Sequence, residues 1–247
     1  MELKPVWTDE YEIRWYDCNI DGKLSIPALC NFLQETAWHH ADHLGFGMEE
    51  TFEKDMGWVL LVLQIKIESY PGWLEHISLD TWPANREKYL AFREFRIKDK
   101  SGDTIGTVRA TYLIIDLKTK RPKNTELLQK LEYLCHEELA GDFKTFAFEK
   151  GTQLIPAGEH KILYSDIDHY GHANNSKYLQ WVIDALPNDF IRTHVPDVIE
   201  IKFLHECFLG EKIMIFSNPV DYSHFEGRRE SDDVTNFQVK IRWKIIQ

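Results

Sequence analysis

A carboxylate and an imidazole stand four residues apart in the run Asp166-Ile-Asp-His-Tyr-Gly-His-Ala-Asn-Asn175, as Asp168 and His172. On a tight loop such a pair can take up and hand on a proton near neutral pH. Asn174 and Asn175 follow where an apolar helical pattern begins. Either one reads as a helix cap, and the free N–H groups of a helix N-terminus also suit a developing oxyanion. An acid and a thiol, Glu206 and Cys207, close the alternating run Ile199–Cys207. Read as a strand, it puts Ile199, Ile201, Phe203, His205 and Cys207 on one face and Glu200, Lys202, Leu204 and Glu206 on the other. Glu206 and Cys207 then cannot both address His172 unless the strand bulges. Glu206 suits a general base, while Cys207 reads first as a small core residue.

Other clusters carry less chemistry. His39 and His43 have the i, i+4 spacing of metal ligands, but no Glu completes an H-E-x-x-H motif and no third ligand is evident, so neither metal nor cofactor is expected. The four cysteines form no C-x-x-C pair and read as reduced thiols. Lys118, Lys120, Arg121 and Lys123 read as a solvated loop that gains interest only beside an acidic partner. A formal net charge of −11 over 247 residues argues against general affinity for nucleic acid or anionic membrane. The longest apolar run, Trp58 to Leu63, is far short of the roughly 20 residues that span a bilayer, so no membrane insertion is expected. The N-terminus has neither a signal-peptide nor a transit-peptide pattern, and a soluble, cytoplasmic protein is expected.

The elements that position these residues occur twice. Asp17 and Gly22 recur as Asp166 and Gly171, an offset of 149. The helical pattern Leu29, Phe32, Leu33, Thr36, Ala37 recurs at the same offset as Tyr178, Trp181, Val182, Ala185, Leu186. Ile77–Pro83 matches Ile213–Pro219 at an offset of 136, so the first copy carries a 13-residue insertion, within Gly45–Gly57. Further strands are expected at Tyr89–Lys98, Thr104–Asp116, Ser223–Glu230 and Asn236–Ile246. Asn124–Lys150 reads as a linker with a short helix using Leu127, Leu128, Leu131 and Leu134. Each copy is therefore an Asp/Gly loop, one long helix and a curved antiparallel sheet wrapped round it, an α+β arrangement. Two copies in one chain can also join their sheets into one. Domains are expected at residues 1–140 and 141–247. Only the second copy keeps the reactive loop, because the first reads Gly22-Lys23-Leu24-Ser25 where the second has Gly171-His172-Ala173-Asn174.

Several segments resemble the acyl-ACP thioesterases of plants and bacteria: Leu33-Gln-Glu-Thr-Ala-Trp-His-His40, Tyr70-Pro-Gly-Trp73 with Asp80-Thr-Trp82, Arg93-Glu-Phe-Arg96, and Asp166–Asn175. The resemblance runs from about Tyr11 to Ile246 and implies a tandem, or double, hotdog fold. It implies that the second hotdog carries catalysis and the first shapes the acyl-chain pocket. His172 matches the family's catalytic His, Asp168 the Asp upstream of it, and Glu206-Cys207 the family's Glu-Cys pair. Tyr170 departs from the usual Asn, which disfavours a Cys-His-Asn triad and favours a carboxylate-assisted mechanism. In that mechanism Glu206 and His172 activate water, Asp168 orients His172, and backbone N–H groups near Asn174 hold the oxyanion. Attack by Cys207 or Asp168 through an acyl-enzyme is the runner-up. Tyr170, Asn174 and Asn175 are expected on the substrate side. The implied partner is acyl carrier protein, which is acidic, so a basic patch among Arg86, Lys88, Lys118, Lys120, Arg121, Arg228 and Arg229 is expected to dock it. An acyl-CoA thioesterase and a non-catalytic acyl-binding protein are the alternatives, and a homodimer is left open. With no long extension before the domain, a bacterial form is expected. Phe32, Trp38 and Trp58 could floor an acyl pocket but read more simply as core packing.

Overall fold

The apolar faces read from the sequence become buried faces of two helices, each in its own copy of the repeat. The structure, a computed structural model, describes residues 3–87, 89–123, 134–136, 138–143 and 153–246. Its contacts divide the chain into one unit of Met1–Leu24 with Asn31–Phe143 and another of Ser25–Cys30 with Lys144–Gln247.

The first unit carries β1 (Trp7–Glu12), α1 (Ile26–His43) from Asn31 onward, α2 (Met48–Glu53), β2 (Met56–Ile67), β3 (His76–Glu87), β4 (Leu90–Asp99) and β5 (Thr104–Asp116). Its strands lie in the order β1-β3-β4-β5-β2, all neighbours antiparallel. The second unit carries β6 (Ile155–Lys161), α3 (Asn175–Asp184), α4 (Asn188–Ile191), β7 (His194–Phe203), β8 (Lys212–Ser217), β9 (His224–Arg229) and β10 (Thr235–Ile245). Its order, β6-β8-β9-β10-β7, is that of the first unit strand for strand. This is the α+β hotdog arrangement expected of each copy. Among the described residues no helix is long and apolar enough to cross a membrane.

Helix α3 shows why the pattern folds this way. Tyr178, Leu179, Trp181 and Val182 are all buried. The Tyr178 ring meets Phe203 of β7 and Phe237 of β10 edge-on, at 5.3 and 5.2 Å. The helix begins at the Asn174 cap and ends at Asp184. Pro187, three residues on, cannot continue it. Ala185 and Leu186, expected on the helix, fall instead on its C-cap and the following turn, and Leu186 stays buried. In the first copy α1 has no such proline after its middle and runs on to His43, 18 residues against 10. Phe32 stacks on Tyr11 of β1 at 4.4 Å. The insertion after α1 holds α2, and around it Leu44, Phe46, Met56 and Ile114 form a buried cluster that Trp58 packs against. Phe32 and Trp58 thus pack within the first unit.

Two expectations need correction or fall away. The strand expected over Ile199–Cys207 stops at Phe203, because the N–H groups of Leu204 and His205 both donate to the Asn236 carbonyl, at 2.8 and 3.0 Å. Two donors on one acceptor break the alternation, so residues 204–207 form a loop. Of the linker helix expected on Leu127, Leu128, Leu131 and Leu134, the first three lie outside the described residues, and Leu134 packs against the buried cluster of Leu44, Phe46, Met56 and Ile114.

Candidate active site

The loop carrying Asp168 and His172 is closed by its own backbone. Asp168 N–H donates to the His172 carbonyl at 2.9 Å, and Gly171 N–H to the Asp168 carbonyl at 3.1 Å. The Asp168 carboxylate accepts from Tyr170 N–H at 2.8 Å, an Asx turn. Gly171 sits at φ +84°, where a side chain would be strained. The first copy makes the same turn. Asn19 N–H donates to the Lys23 carbonyl at 2.7 Å, the Asn19 side chain accepts from Asp21 and Lys23 N–H, and Gly22 sits at φ +70°. Thus the turn is architecture common to both copies, and the second differs in carrying Asp168 where the first has Asn19 and His172 where the first has Lys23.

The loop is fixed to two further elements. Asn174 N–H donates to the Asp166 carbonyl and Ala173 N–H to the Cys207 carbonyl, both at 2.8 Å. The second bond lays the 204–207 loop beside the His172 loop. As a result both ring nitrogens of His172 face a carboxylate: Nδ1 lies 3.7 Å from Asp168 Oδ1 and Nε2 lies 3.7 Å from Glu206 Oε1. These separations exceed a hydrogen bond, a common condition of catalytic groups before substrate tightens them. Tyr170 lies parallel to the imidazole, centroids 6.0 Å apart and planes 8° apart. It covers one face of the ring, and partial burial raises its hydroxyl pKa. The structure therefore brings Asp168, Tyr170, His172 and Glu206 together.

Cys207 does not join them. Its side chain is fully buried with the Tyr178 hydroxyl against it, and burial pushes the thiol up to about 12. Asn174 caps α3, its Oδ1 accepting from both Ser176 N–H and Ser176 Oγ at 2.9 Å. Ala173, Asn174 and Ser176 N–H are so engaged and Lys177 N–H donates to the Asn174 carbonyl, so none of these four serves an oxyanion near Asn174, and the N–H of Asn175 in the first turn is a candidate donor. Asn236 was not legible as a site residue, yet its Nδ2 donates to the Glu206 carbonyl at 3.1 Å.

The other candidates are placed as follows. His39 is held between Asp9 and Glu35, at 2.8 and 3.2 Å, and His43 Nε2 accepts from Lys4 N–H at 3.0 Å. Among the described residues no group of three or more His, Cys, Asp or Glu could hold a metal. Of the basic residues, Lys118 pairs with Asp55, Lys123 with Asp116, Arg228 with Glu226, and Arg229 with Glu211 and Asp232. Lys120 and Arg121 are exposed and have no acidic partner among the described residues. Lys88 and the side chain of Arg86 lie outside them.

The chain matches two family models, the acyl-ACP thioesterase N-terminal domain over residues 4–127 and the acyl-ACP thioesterase C-terminal domain over residues 153–245. Among curated proteins it is 27% identical over 221 residues to oleoyl-acyl carrier protein thioesterase 2, chloroplastic, of Arabidopsis thaliana, covering 81% of this chain and 59% of the relative. It is 25% identical to palmitoyl-acyl carrier protein thioesterase, chloroplastic, of Cuphea hookeriana, covering 82% and 52%. The chain thus spans about half to three-fifths of the length of these relatives. Among solved structures it is similar to an acyl-ACP thioesterase from Bacteroides thetaiotaomicron, with a TM-score of 0.87 and 25% identity over 97% of this chain and 98% of that one. The fold is also that of the 12:0-ACP thioesterase from Umbellularia californica, at a TM-score of 0.86 and 20% identity over 98% of each chain.

Proposed function

Because the chain belongs to the acyl-ACP thioesterase family, and His172 stands between two carboxylates, we propose that it hydrolyses the thioester joining an acyl chain to acyl carrier protein. The products are a free fatty acid and the carrier's thiol, which ends chain elongation in fatty acid synthesis. The observation that carries the reading is the His172 imidazole with a carboxylate opposite each nitrogen, on a turn that the first copy builds without that chemistry.

Glu206 and His172 activate a water molecule, His172 Nε2 taking its proton as the oxygen attacks the thioester carbonyl. Asp168, across Nδ1, orients the ring and stabilises the imidazolium that forms. The tetrahedral oxyanion is held by main-chain N–H, for which Asn175 at the start of α3 is the candidate. Collapse breaks the C–S bond, and the imidazolium returns its proton to the departing thiolate. Tyr170, beside the His172 ring, and Asn174 and Asn175 line the substrate side. In this reading the catalytic domain is residues 141–247, and the N-terminal domain, residues 1–140, serves acyl-chain binding. The four free cysteines suit a reducing, cytoplasmic setting.

An acidic carrier must meet a chain of net charge −11 through local basic residues. Lys120 and Arg121, exposed and without acidic partners among the described residues, are the candidates. The test compares acyl-ACP with acyl-CoA of the same chain length. The reading expects a higher kcat/KM for acyl-ACP. Reversing Lys120 and Arg121 to Glu together should lower that value by about tenfold, while leaving acyl-CoA turnover within about twofold. No release of free acid from either substrate would contradict the enzyme assignment, and equal effects of the reversal on both would contradict the docking residues.

A further inference from the structure

Residues 204–207 carry Glu206 to His172, and one buried residue of β10 makes three of the bonds that hold them. The Asn236 carbonyl accepts from Leu204 and His205 N–H, at 2.8 and 3.0 Å, and the Asn236 Nδ2 donates to the Glu206 carbonyl at 3.1 Å. On the far side of Glu206, the Cys207 carbonyl accepts from Ala173 N–H at 2.8 Å. Glu206 is thus gripped by its own carbonyl, by the N–H of His205 before it and by the carbonyl of Cys207 after it, while its carboxylate lies 3.7 Å from His172 Nε2.

The first copy separates what this loop needs to fold from what else it contains. There the Ile105 carbonyl accepts from Glu68 and Ser69 N–H, at 2.8 and 3.3 Å, and Leu24 N–H donates to the Pro71 carbonyl at 2.8 Å. The same main-chain bonds close the same loop, with Tyr70 and Pro71 where the second copy has Glu206 and Cys207. At the position of Asn236 stands a buried isoleucine. Closing the loop therefore does not require an amide. Asn236 is itself fully buried, and its Oδ1 has no partner among the described residues. A buried, unsatisfied acceptor is a cost to stability that isoleucine avoids.

We propose that Asn236 is a positioning residue of the reaction, its side-chain amide setting the Glu206 carboxylate opposite His172 by holding the Glu206 main chain. The inference rests on the role given to Glu206 above. A displacement of about 1 Å at a catalytic group can cost on the order of 100-fold in rate.

The test is Asn236→Ile, which installs the residue of the first copy. With acyl-ACP as substrate, kcat is expected to fall about 10- to 100-fold with KM within about twofold. The thermal midpoint should be unchanged or higher, since the orphan acceptor is gone. In a Glu206→Gln background, followed by single turnover, the same substitution should cost less than about twofold, because the group it positions has lost its function. Unchanged kcat in the folded variant would overturn the proposal, and so would an equal loss in both backgrounds. If Asn236→Ile does not fold, Asn236→Ser, smaller and too short to reach the Glu206 carbonyl, is read by the same criteria. Wild-type protein inactive on acyl-ACP would instead overturn the hydrolase reading. An active wild type and an inactive Glu206→Gln variant alongside a fully active Asn236→Ile would overturn the positioning role alone.

Discussion

Glu206 and Cys207 are neighbours in sequence with opposite fates. The Glu206 side chain is half exposed and faces the imidazole, whereas Cys207 is fully buried and its thiol is pushed up to about 12 by that burial. A thiol at that value is protonated at neutral pH, which disfavours it as a nucleophile. Cys207→Ala is therefore expected to keep kcat on acyl-ACP within about threefold of wild type, at a stability cost of about 1 kcal/mol by denaturant unfolding. Glu206→Gln should lower kcat about 100- to 1000-fold. A folded but inactive Cys207→Ala would restore the acyl-enzyme route. Strand alternation predicts opposite sides for these two side chains, and they do lie apart, but in a loop rather than on a strand. That the strand has already ended before them was not legible, because the cause is a carbonyl at Asn236, some thirty residues away in sequence. The Asp168–His172 pairing was legible because it is local, set by a turn of a few residues with a glycine at positive φ.

At the scale of elements, the N-terminal segment, α1 and β4 are tied together through one histidine. His40 is fully buried on α1. Its Nδ1 accepts from Arg93 Nη1 of β4 at 3.0 Å, and its Nε2–H donates to the Lys4 carbonyl at 3.0 Å. Burial, reinforced by the Arg93 guanidinium, pushes its pKa down to about 4. Unfolded, the same ring takes up a proton near pH 6.5. Between those values the unfolded chain binds more protons, so stability is full above pH 6.5 and falls as the pH drops toward 4. The contribution lost is on the order of 3 kcal/mol. Urea unfolding from pH 7.5 down to 4 should show that loss, and the His40 ring should remain neutral by NMR at pH 5.5. A His40 that titrates near 6.5 in the native state would contradict this account. The helix and its apolar face were readable from the period of Leu33, Thr36 and Ala37. The polar tie was not, since periodicity says which face is buried but not which polar group on it finds a partner. For the same reason the pattern carried α3 through Ala185 and Leu186, where the proline stop at Pro187 shortens the helix while leaving Leu186 in the core.

Across the whole molecule, two units share one strand order, and in the proposed reading only the second carries the reacting groups. The repeat offsets made the shared architecture visible, down to which residue answers which, because both copies face the same problem of covering one long helix. The 13-residue change of offset located the insertion but not the α2 helix and the buried cluster it brings, which depend on Ile114 from another strand. The basic residues illustrate the same limit. Seven were candidates for docking by charge alone, and the structure leaves Lys120 and Arg121 without acidic partners among the described residues, since Lys118, Arg228 and Arg229 are engaged in ion pairs. The central claim is that the second copy of the turn does the chemistry and the first provides only form. It is tested most directly by the rate of free fatty acid release from acyl-ACP by wild type, His172→Ala and Lys23→Ala, the last two changing equivalent positions of the two turns. The account predicts that His172→Ala lowers kcat at least about 100-fold and that Lys23→Ala stays within about twofold of wild type; a His172→Ala variant that retains wild-type turnover, or an equal loss in both, would contradict it.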